Sequence, residues 1–255
     1  GWYRKQFKLP RSYNGKVISI LFDAICHQSD VYINGHHLGF RPYGFCSIEY
    51  DLTPYLDYDG ENVIAVRVNR SGVKDVARWY TGSGIYRHAW LQVTNPVHIA
   101  TYGTYVTTPS VSEDKAEIRI MTTLENELKK VQTVSISHLI LDNQGKIVAK
   151  SGTEKTLFEA GQSIKITQNL TLNYPRLWTL EKPELYTLET TVKANGKVTD
   201  LYKTPFGIRT IAFDSEKGFL LNGKQVKLKG MCLHQDAGSL GTAVLDRSYE
   251  RRLEI

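Results

Sequence analysis

The stretch that decides the fold lies near the C-terminal end and reads Gly218-Phe-Leu-Leu-Asn-Gly-Lys-Gln-Val-Lys-Leu-Lys-Gly-Met-Cys-Leu-His-Gln-Asp-Ala-Gly-Ser-Leu-Gly241. Its apolar residues Phe219–Leu221 predict a short strand, and Asn222-Gly223 supplies the two positive φ angles of a type I′ hairpin turn. A return strand is predicted from Gln225 to about Leu233. It alternates at first and then becomes continuously apolar, as a strand buried on both faces does.

A polar cluster and a helix follow that return strand. The cluster is His234, Gln235 and Asp236, and the run from Asp246 to Ile255 predicts a helix with Asp246 as its N-cap. A buried strand, a polar loop at its C-terminal end and then a helix form the opening unit of a (β/α)₈ barrel, where such a loop faces the active site.

The same stretch resembles the start of the catalytic barrel in glycoside hydrolase family 2, the β-galactosidase, β-mannosidase and β-glucuronidase relatives. The matching residues are Phe219, Leu221–Lys224, Leu228–Gly230 and the His234 cluster. The resemblance implies that the chain is the front portion of such an enzyme. Residues 209–255 are then the truncated start of the TIM barrel, and we expect them to fray or to borrow a surface elsewhere.

Composition and charge narrow the classes of function. The chain has 255 residues, 41% of them hydrophobic, and a formal net charge of +6. Lysines and arginines alternate with acids along the predicted strands, which argues against nucleic-acid binding. No run approaches the roughly 18 to 20 apolar residues of a membrane span. The compartment stays open: periplasmic or secreted if a leader was trimmed, otherwise cytoplasmic.

The cysteines do not indicate a metal or a redox site. Cys26, Cys46 and Cys232 are widely spaced, with no CxxC pair and no zinc-ligand spacing. We interpret them as small buried thiols. No cofactor is expected.

Residues 1–95 predict one β domain. Short apolar strands alternate with Gly, Pro and Asn turns, which is typical of a sandwich with jelly-roll connections. The clearest expected strands are Val17–Phe22 and Asn62–Val68, and a short helical or turn segment is expected at residues 51–56. The resemblance implies that this domain is of the sugar-binding type.

The segment from Arg78 to Arg87, Arg-Trp-Tyr-Thr-Gly-Ser-Gly-Ile-Tyr-Arg, resembles a signature of the same family. For Tyr86 and Arg87 we favour structural roles, Tyr86 in a core and Arg87 paired with a buried carboxylate, over sugar contact. In the family, the loop before the glycine pair lines the sugar site. This implies substrate contact for Arg78, with Asp75 a weaker candidate. Several members carry an acid where Arg78 stands, which leaves the sugar preference open.

Residues 96–208 predict a second β domain. About seven expected strands over this length fit an immunoglobulin-like sandwich. The stretch Tyr174–Tyr186 resembles a Leu-Trp-…-Pro-…-Leu-Tyr phrase of the family's middle domain, and we expect Leu177, Trp178 and Leu185 to be buried there rather than to stack on sugar. Residues 204–213 resemble the strand that leads into the barrel.

The chemistry of a retaining glycosidase requires two carboxyl groups roughly 5 to 5.5 Å apart. Family 2 supplies both as glutamates on later barrel strands, so no catalytic residue is expected within this chain. The resemblance implies sugar contact for His234, whose neutral imidazole can donate to a hydroxyl, against a loop histidine that bonds its own turn. Asp236 is a candidate for binding hydroxyls or a neighbouring arginine.

Two functions from different classes remain. The first is the N-terminal part of a β-galactosidase-like glycosidase, with a carbohydrate substrate and an open question of homo-oligomerisation. The second is a non-catalytic carbohydrate-binding or adhesin-like pair of sandwiches, since fold does not set function. The barrel-start stretch favours the enzyme, because a free-standing binding module has no need of it.

Overall fold

A computed structural model describes residues 1–71, 82–234 and 236–255. These residues divide into two compact units, one formed by residues 1–93 with 231–255 and the other by residues 94–230. Both units are built of β-strands, as the sequence predicts. Within the described parts of the chain, no helix has the length and apolar character of a membrane span.

The first unit contains a sandwich of short strands. A four-stranded sheet has the order β1-β7-β4-β5, a three-stranded sheet the order β6-β2-β9, and β3 pairs with β8. The strands are β1 (Trp2–Phe7), β2 (Val17–Phe22), β3 (Ile25–Cys26), β4 (Ser29–Ile33), β5 (His36–Arg41), β6 (Ile48–Asp51), β7 (Asn62–Val68), β8 (Gly84–Ile85) and β9 (Ala89–Thr94).

The core of this sandwich lies between the two larger sheets. Alternate residues of β4 and β7 are buried, as in the run from Asn62 to Val68, because a strand places successive side chains on opposite faces. The cluster combines Ile20 and Phe22 of β2 with Val31 and Val66 of the opposite sheet. The short helical segment expected at residues 51–56 is a 3₁₀ turn, Thr53–Tyr55.

The second unit is a sandwich with longer strands. One sheet has the order β10-β11-β15, the other has β13-β12-β16-β17 with β14 also on β12, and a small sheet has β18-β19-β20. The strands are β10 (Val97–Val111), β11 (Lys115–Asn126), β12 (Gln132–Leu141), β13 (Ile147–Lys150), β14 (Glu154–Phe158), β15 (Ser163–Asn173), β16 (Tyr186–Ala194), β17 (Lys197–Phe206), β18 (Ile211–Asp214), β19 (Gly218–Leu221) and β20 (Lys224–Gln225).

A polar layer divides the core of the second sandwich. Its members are His138 and Thr190 from one sheet and Thr122 and Gln168 from the other, and all four are buried. Along the strands, apolar clusters lie on both sides of this layer. The Nδ1 atom of His138 lies 3.0 Å from the Oγ1 atom of Thr190, so the ring has a partner within the core.

The segment between the two prolines of Tyr174–Tyr186 packs around Trp178. This side chain is half-buried, and the Arg209 guanidinium carbon lies 5.0 Å from the centre of its ring. A Cβ atom on Gly207 would come within 3.1 Å of Trp178, so any other residue there would require the Trp178 side chain to shift. Packing of Trp178 and Leu177 therefore agrees with the sequence, but burial of Leu185 does not, because Leu185 is exposed.

The expected hairpin at Asn222-Gly223 is present. Asn222 has φ of 49° and Gly223 has φ of 74°, which are the two positive angles of a type I′ turn. The continuous strand expected at residues 204–213 is wrong: β17 ends at Phe206, and Ile211 opens a new strand after a break. The break occurs where Gly207 passes under Trp178.

The buried return strand expected from Gln225 to about Leu233 is also wrong for the described chain. Only Lys224–Gln225 pairs with β19, and residues 226–234 have no regular structure. Met231 is 92% exposed, and Leu228 and Cys232 are exposed too. A barrel strand obtains its backbone partners from neighbouring strands and its apolar covers from the barrel interior and the outer helices. Among the described residues, no strand pairs with residues 227–234. The start of a TIM barrel is therefore not shown here.

The C-terminal helix α1 spans Asp246–Glu254, and its N-cap is Leu245 rather than the expected Asp246. The Oδ2 atom of Asp246 lies 3.3 Å from the Nε2 atom of His88, so this carboxylate turns toward the first sandwich instead of the first helical N–H groups. No α-helix precedes it within the described ranges.

Candidate functional site

Two of the four candidate sugar-binding residues, Arg78 and Asp75, lie in residues 72–81, outside the described part of the chain. Their substrate contacts therefore stay predictions. The described residues on both sides of this segment nevertheless show how the chain enters and leaves it. They belong to the first unit.

The loop returns to the fold through two glycines with positive φ. Gly82 has φ of 70°, and a Cβ atom there would overlap the side chain of Thr242. Gly84 has φ of 111°, and a Cβ atom there would overlap the Tyr3 hydroxyl. Side chains are therefore excluded at both positions by conformation and by space. The contact with Thr242 also brings the end of the loop beside the chain segment that follows His234.

Two side chains hold the carbonyl oxygen of Gly82. The Nη1 atom of Arg70 donates to it at 2.6 Å, and the Cys26 thiol contacts it at 3.8 Å. Arg70 precedes the loop in sequence and Gly82 follows it. The guanidinium therefore joins described residues on the two sides of positions 72–81.

Tyr86 has the structural role that the sequence favours. Its hydroxyl donates to the carbonyl oxygen of Gly44 at 3.0 Å, and its ring packs against Phe45. Burial, aided by the nearby Cys26, raises the pKa of Tyr86, so the phenol keeps the proton that it donates. Arg87 is exposed, and its expected pairing with a buried carboxylate stays a prediction.

His234 and Asp236 are exposed and share one partner, Arg252 of α1. Its Nη1 atom donates to the carbonyl oxygen of His234 at 3.4 Å, and its Nη2 atom donates to that of Asp236. An arginine near Asp236 was expected, but it binds the backbone rather than the carboxylate. Both contacts of Arg252 are thus with backbone carbonyl oxygens, and the two residues themselves are exposed.

A second polar cluster in the first unit has no local signal in the sequence. His88 Nδ1 lies 3.2 Å from Asp23 Oδ2, and His88 Nε2 lies 3.3 Å from Asp246 Oδ2. Trp90 donates its indole N–H to the other oxygen of Asp23 at 3.2 Å. The members are separated by up to 223 positions (246 − 23), so sequence spacing cannot reveal the contact.

Three glutamates of the second sandwich contact basic side chains. Glu189 pairs with Lys203 at 2.7 Å, and Glu125 lies 3.4 Å from His98. Glu184 lies within 3.9 Å of Arg176. That no catalytic residue lies within this chain stays a prediction. In the described ranges, no group of three or more His, Cys, Asp or Glu residues is placed to hold a metal ion.

Two family models match the chain. Residues 1–96 match the sugar binding domain of glycosyl hydrolases family 2, and residues 97–209 match the following domain of glycosyl hydrolases family 2. The chain belongs to glycosyl hydrolase family 2. This agrees with the two sandwiches and with the resemblance seen at the barrel-start stretch.

Relatives of known name are β-galactosidases and β-glucuronidases. A β-galactosidase of Bacteroides ovatus is 47% identical over 255 residues, which cover all of this chain and 30% of that protein. A β-glucuronidase of Formosa agariphila is 37% identical over 248 residues, covering 90% of this chain and 25% of that protein. The chain therefore spans less than a third of the length of these relatives.

A solved structure has the same fold. The glycosyl hydrolase family 2 member from Bacteroides cellulosilyticus superposes with a TM-score of 0.93 at 40% sequence identity, over 99% of this chain and 34% of that one. A β-glucuronidase of the family gives a TM-score of 0.87 at 35% identity, covering 95% of this chain and 28% of that one.

Proposed function

We propose that this chain is the N-terminal part of a retaining β-glycosidase with β-galactosidase-like specificity. One observation carries the proposal: the full length of the chain is 47% identical to a β-galactosidase. The proposed organisation is a sugar-binding-type jelly roll at residues 1–95, an immunoglobulin-like sandwich at 96–208 and the start of a catalytic barrel at 209–255.

In this proposal the catalytic carboxyl groups come from another part of the complete protein. Retaining hydrolysis needs a nucleophile and an acid/base about 5 to 5.5 Å apart. The contacts of Glu125, Glu184 and Glu189 with basic side chains support the view that these groups are structural. The chain's contribution is then to bind and orient sugar through Arg78, His234 and Asp236, with Asp75 as a further candidate.

The arrangement around Gly82 supports a common site for Arg78 and His234. Arg70 donates to the carbonyl oxygen of Gly82, so described residues on the two sides of positions 72–81 are in contact, and Gly82 packs beside Thr242, eight positions after His234. Arg252 donates to the backbone carbonyl oxygens of His234 and Asp236. Arg78 can then act as a forked donor to sugar hydroxyls, and the His234 imidazole can donate where charge develops at the ring.

The proposal is tested by the kinetics of the complete protein that contains this chain. We expect the highest kcat/KM on nitrophenyl β-galactoside among the galactoside, glucuronide, mannoside and glucoside. Replacing Arg78→Ala should raise KM more than it lowers kcat, because a ground-state contact binds substrate and transition state alike. His234→Ala should lower kcat/KM by about 10²-fold or more.

Matched controls come from the first sandwich. Arg11 forms an exposed ion pair with Asp59 at 2.7 Å, and His36 stacks on Tyr55, so Arg11→Ala and His36→Ala should keep the unmodified kinetics. Unchanged kinetics in both Arg78→Ala and His234→Ala would reject the common site. Absence of hydrolysis by the complete protein would favour the alternative of a non-catalytic carbohydrate-binding protein.

A further inference from the structure

The outer face of the four-stranded sheet in the first unit carries an exposed row of large side chains. Trp2 pairs with Arg67, Arg67 with Asp30, and Asp30 with Phe40, so all four side chains lie on one face of β1, β7, β4 and β5. The core side chains of the same strands point the other way. Trp2 is 63% exposed and Phe40 is 54% exposed.

A second row lies beside the first and extends its aromatic surface. Tyr32 pairs with Ala65 on one side and with His37 on the other. The ring centre of Tyr32 lies 5.8 Å from that of Trp2 and 4.8 Å from that of His37. Because Ala65 has only a methyl group, it leaves room for the Trp2 ring to approach that of Tyr32.

The charged groups between the rings are fixed. The Asp30 side chain is only 14% exposed, and its carboxylate binds His37 Nε2 at 3.0 Å and Arg67 Nη1 at 3.4 Å. This holds the Arg67 guanidinium in the sheet face with further N–H donors directed away from Asp30. Flat apolar rings thus flank oriented donors on a rigid sheet.

Cross-strand pairing explains why these residues contact one another but not why the large rings at both ends of the row stay in water. A pyranose ring needs both features of this face: an apolar surface for its C–H groups and donors for its hydroxyls. We propose that the face formed by Trp2, Tyr32 and Phe40 around the Asp30–Arg67 pair binds a carbohydrate chain. The match of residues 1–96 to a sugar binding domain supports a glycan rather than a protein as the occupant. The proposal goes beyond the proposed function and does not depend on hydrolysis.

The test is affinity electrophoresis of the 255-residue chain in gels that contain a soluble polysaccharide. Separate gels hold β-galactan, arabinogalactan, galactomannan, xyloglucan and a polyuronate. At least one polysaccharide should slow the chain, and Trp2→Ala should weaken that binding by about tenfold or more, because an exposed ring supplies much of the contact area. Trp2→Tyr keeps a ring and should keep most of the binding.

Three controls separate ligand binding from other effects. Tyr105 lies on a sheet of the second unit and is 61% exposed, so Tyr105→Ala is a matched variant that should bind as the unchanged chain does. Phe40→Ala is a second reporter if Trp2→Ala fails to fold, which circular dichroism detects. Binding should persist at high salt, because stacking is not screened as surface charge pairs are.

Several results would overturn the proposal. These are the absence of retardation in every gel, equal retardation of the chain and of both Trp2→Ala and Phe40→Ala, and retardation that high salt abolishes. Self-association of the chain that Trp2→Ala removes, without polysaccharide binding, would identify the face as a protein interface instead. Loss of glycosidase activity in the complete protein would leave the proposal intact, so the two proposals fail separately.

Discussion

In three Asn-Gly hairpins of this chain, the asparagine side chain bonds the turn to neighbouring backbone. In the Asn222-Gly223 turn, the Asn222 side chain accepts from the Thr210 N–H at 2.9 Å and donates to the Trp178 carbonyl oxygen at 3.0 Å. Asn34 and Asn195 occupy the same turn position, also with positive φ, and each accepts a backbone N–H from a neighbouring strand. An Asn-Gly pair therefore sets both the turn geometry and its attachment, which explains why it is so informative in the sequence.

At the residue scale, the turn predicts the effect of Gly223→Val. Gly223 has φ of 74° and open space around a Cβ atom, so the cost is backbone strain alone. We expect a loss of about 1 kcal/mol or more in the free energy of unfolding, measured by denaturant titration. Gly230 also has open space but no positive φ, so Gly230→Val is the control and should be near neutral. Equal stability of the two variants would contradict the type I′ turn.

His138 gives the second sandwich a dependence on pH. Burial lowers the pKa of His138 from 6.5 to about 4, because a charged imidazole is poorly solvated inside the core. Between these values the unfolded chain binds the proton and the folded chain does not. The contribution to stability is therefore complete above pH 6.5 and is lost as the pH falls toward 4.

We expect this group to remove about 3 kcal/mol from the free energy of unfolding between pH 6.5 and 4. The measurement is a series of urea titrations across that range on the chain and on His138→Leu. The variant has no titrating group at this position, so its stability should fall less over the same range. Parallel pH profiles for the two proteins would show that His138 is not held neutral in the core.

At the scale of elements, strands with one buried face could be predicted and the strand without neighbours could not. Asn62–Val68 has the predicted bounds, because its period of two matches a sheet with one face in the core. The run from 226 to 234 has no regular structure and is exposed beyond Val226. Its pattern indicates a strand with both faces packed against other elements. The sequence alone does not say whether those elements are present.

This exposed segment should be the first site of proteolysis in the 255-residue chain. Lys227 and Lys229 lie within it, are exposed and have no regular backbone pairing, which is the state that a protease binds. Limited trypsin digestion followed by mass spectrometry should show cleavage after these residues before cleavage within either sandwich. Earlier cleavage in β11 or β16 would mean that the sandwiches are less stable than this segment.

The candidate site could be predicted only in part, because a local sequence pattern does not report contacts between residues that are distant in the chain. The glycine pair at 82 and 84 was evident from the sequence, because tight backbone positions need glycine. Two contacts were not evident from the sequence: that of Arg252 with the His234 backbone, and the bridging position of His88. Both join residues that are distant in sequence or belong to different elements. Long-range polar contacts depend on the completed fold and leave no local pattern.

At the scale of the whole molecule, the family assignment and the contacts of the glutamates lead to one account. The chain has the two sandwich domains of glycosyl hydrolase family 2 and covers about 30% of its β-galactosidase relative. The central claim of the account is that it contributes to sugar binding and supplies neither catalytic carboxyl group. Without a nucleophile and an acid/base, no assistance remains for cleavage of the glycosidic bond.

The most direct test is an assay of the purified 255-residue chain beside the complete protein on nitrophenyl β-galactoside, β-mannoside, β-glucoside and β-glucuronide. The account predicts that the complete protein hydrolyses at least one of them and that the 255-residue chain releases no nitrophenol above background. The preparation is checked for host glycosidases by the same purification from cells without the gene. Turnover by the 255-residue chain that survives this check would contradict the account, because the catalytic carboxyl groups would then lie within these residues.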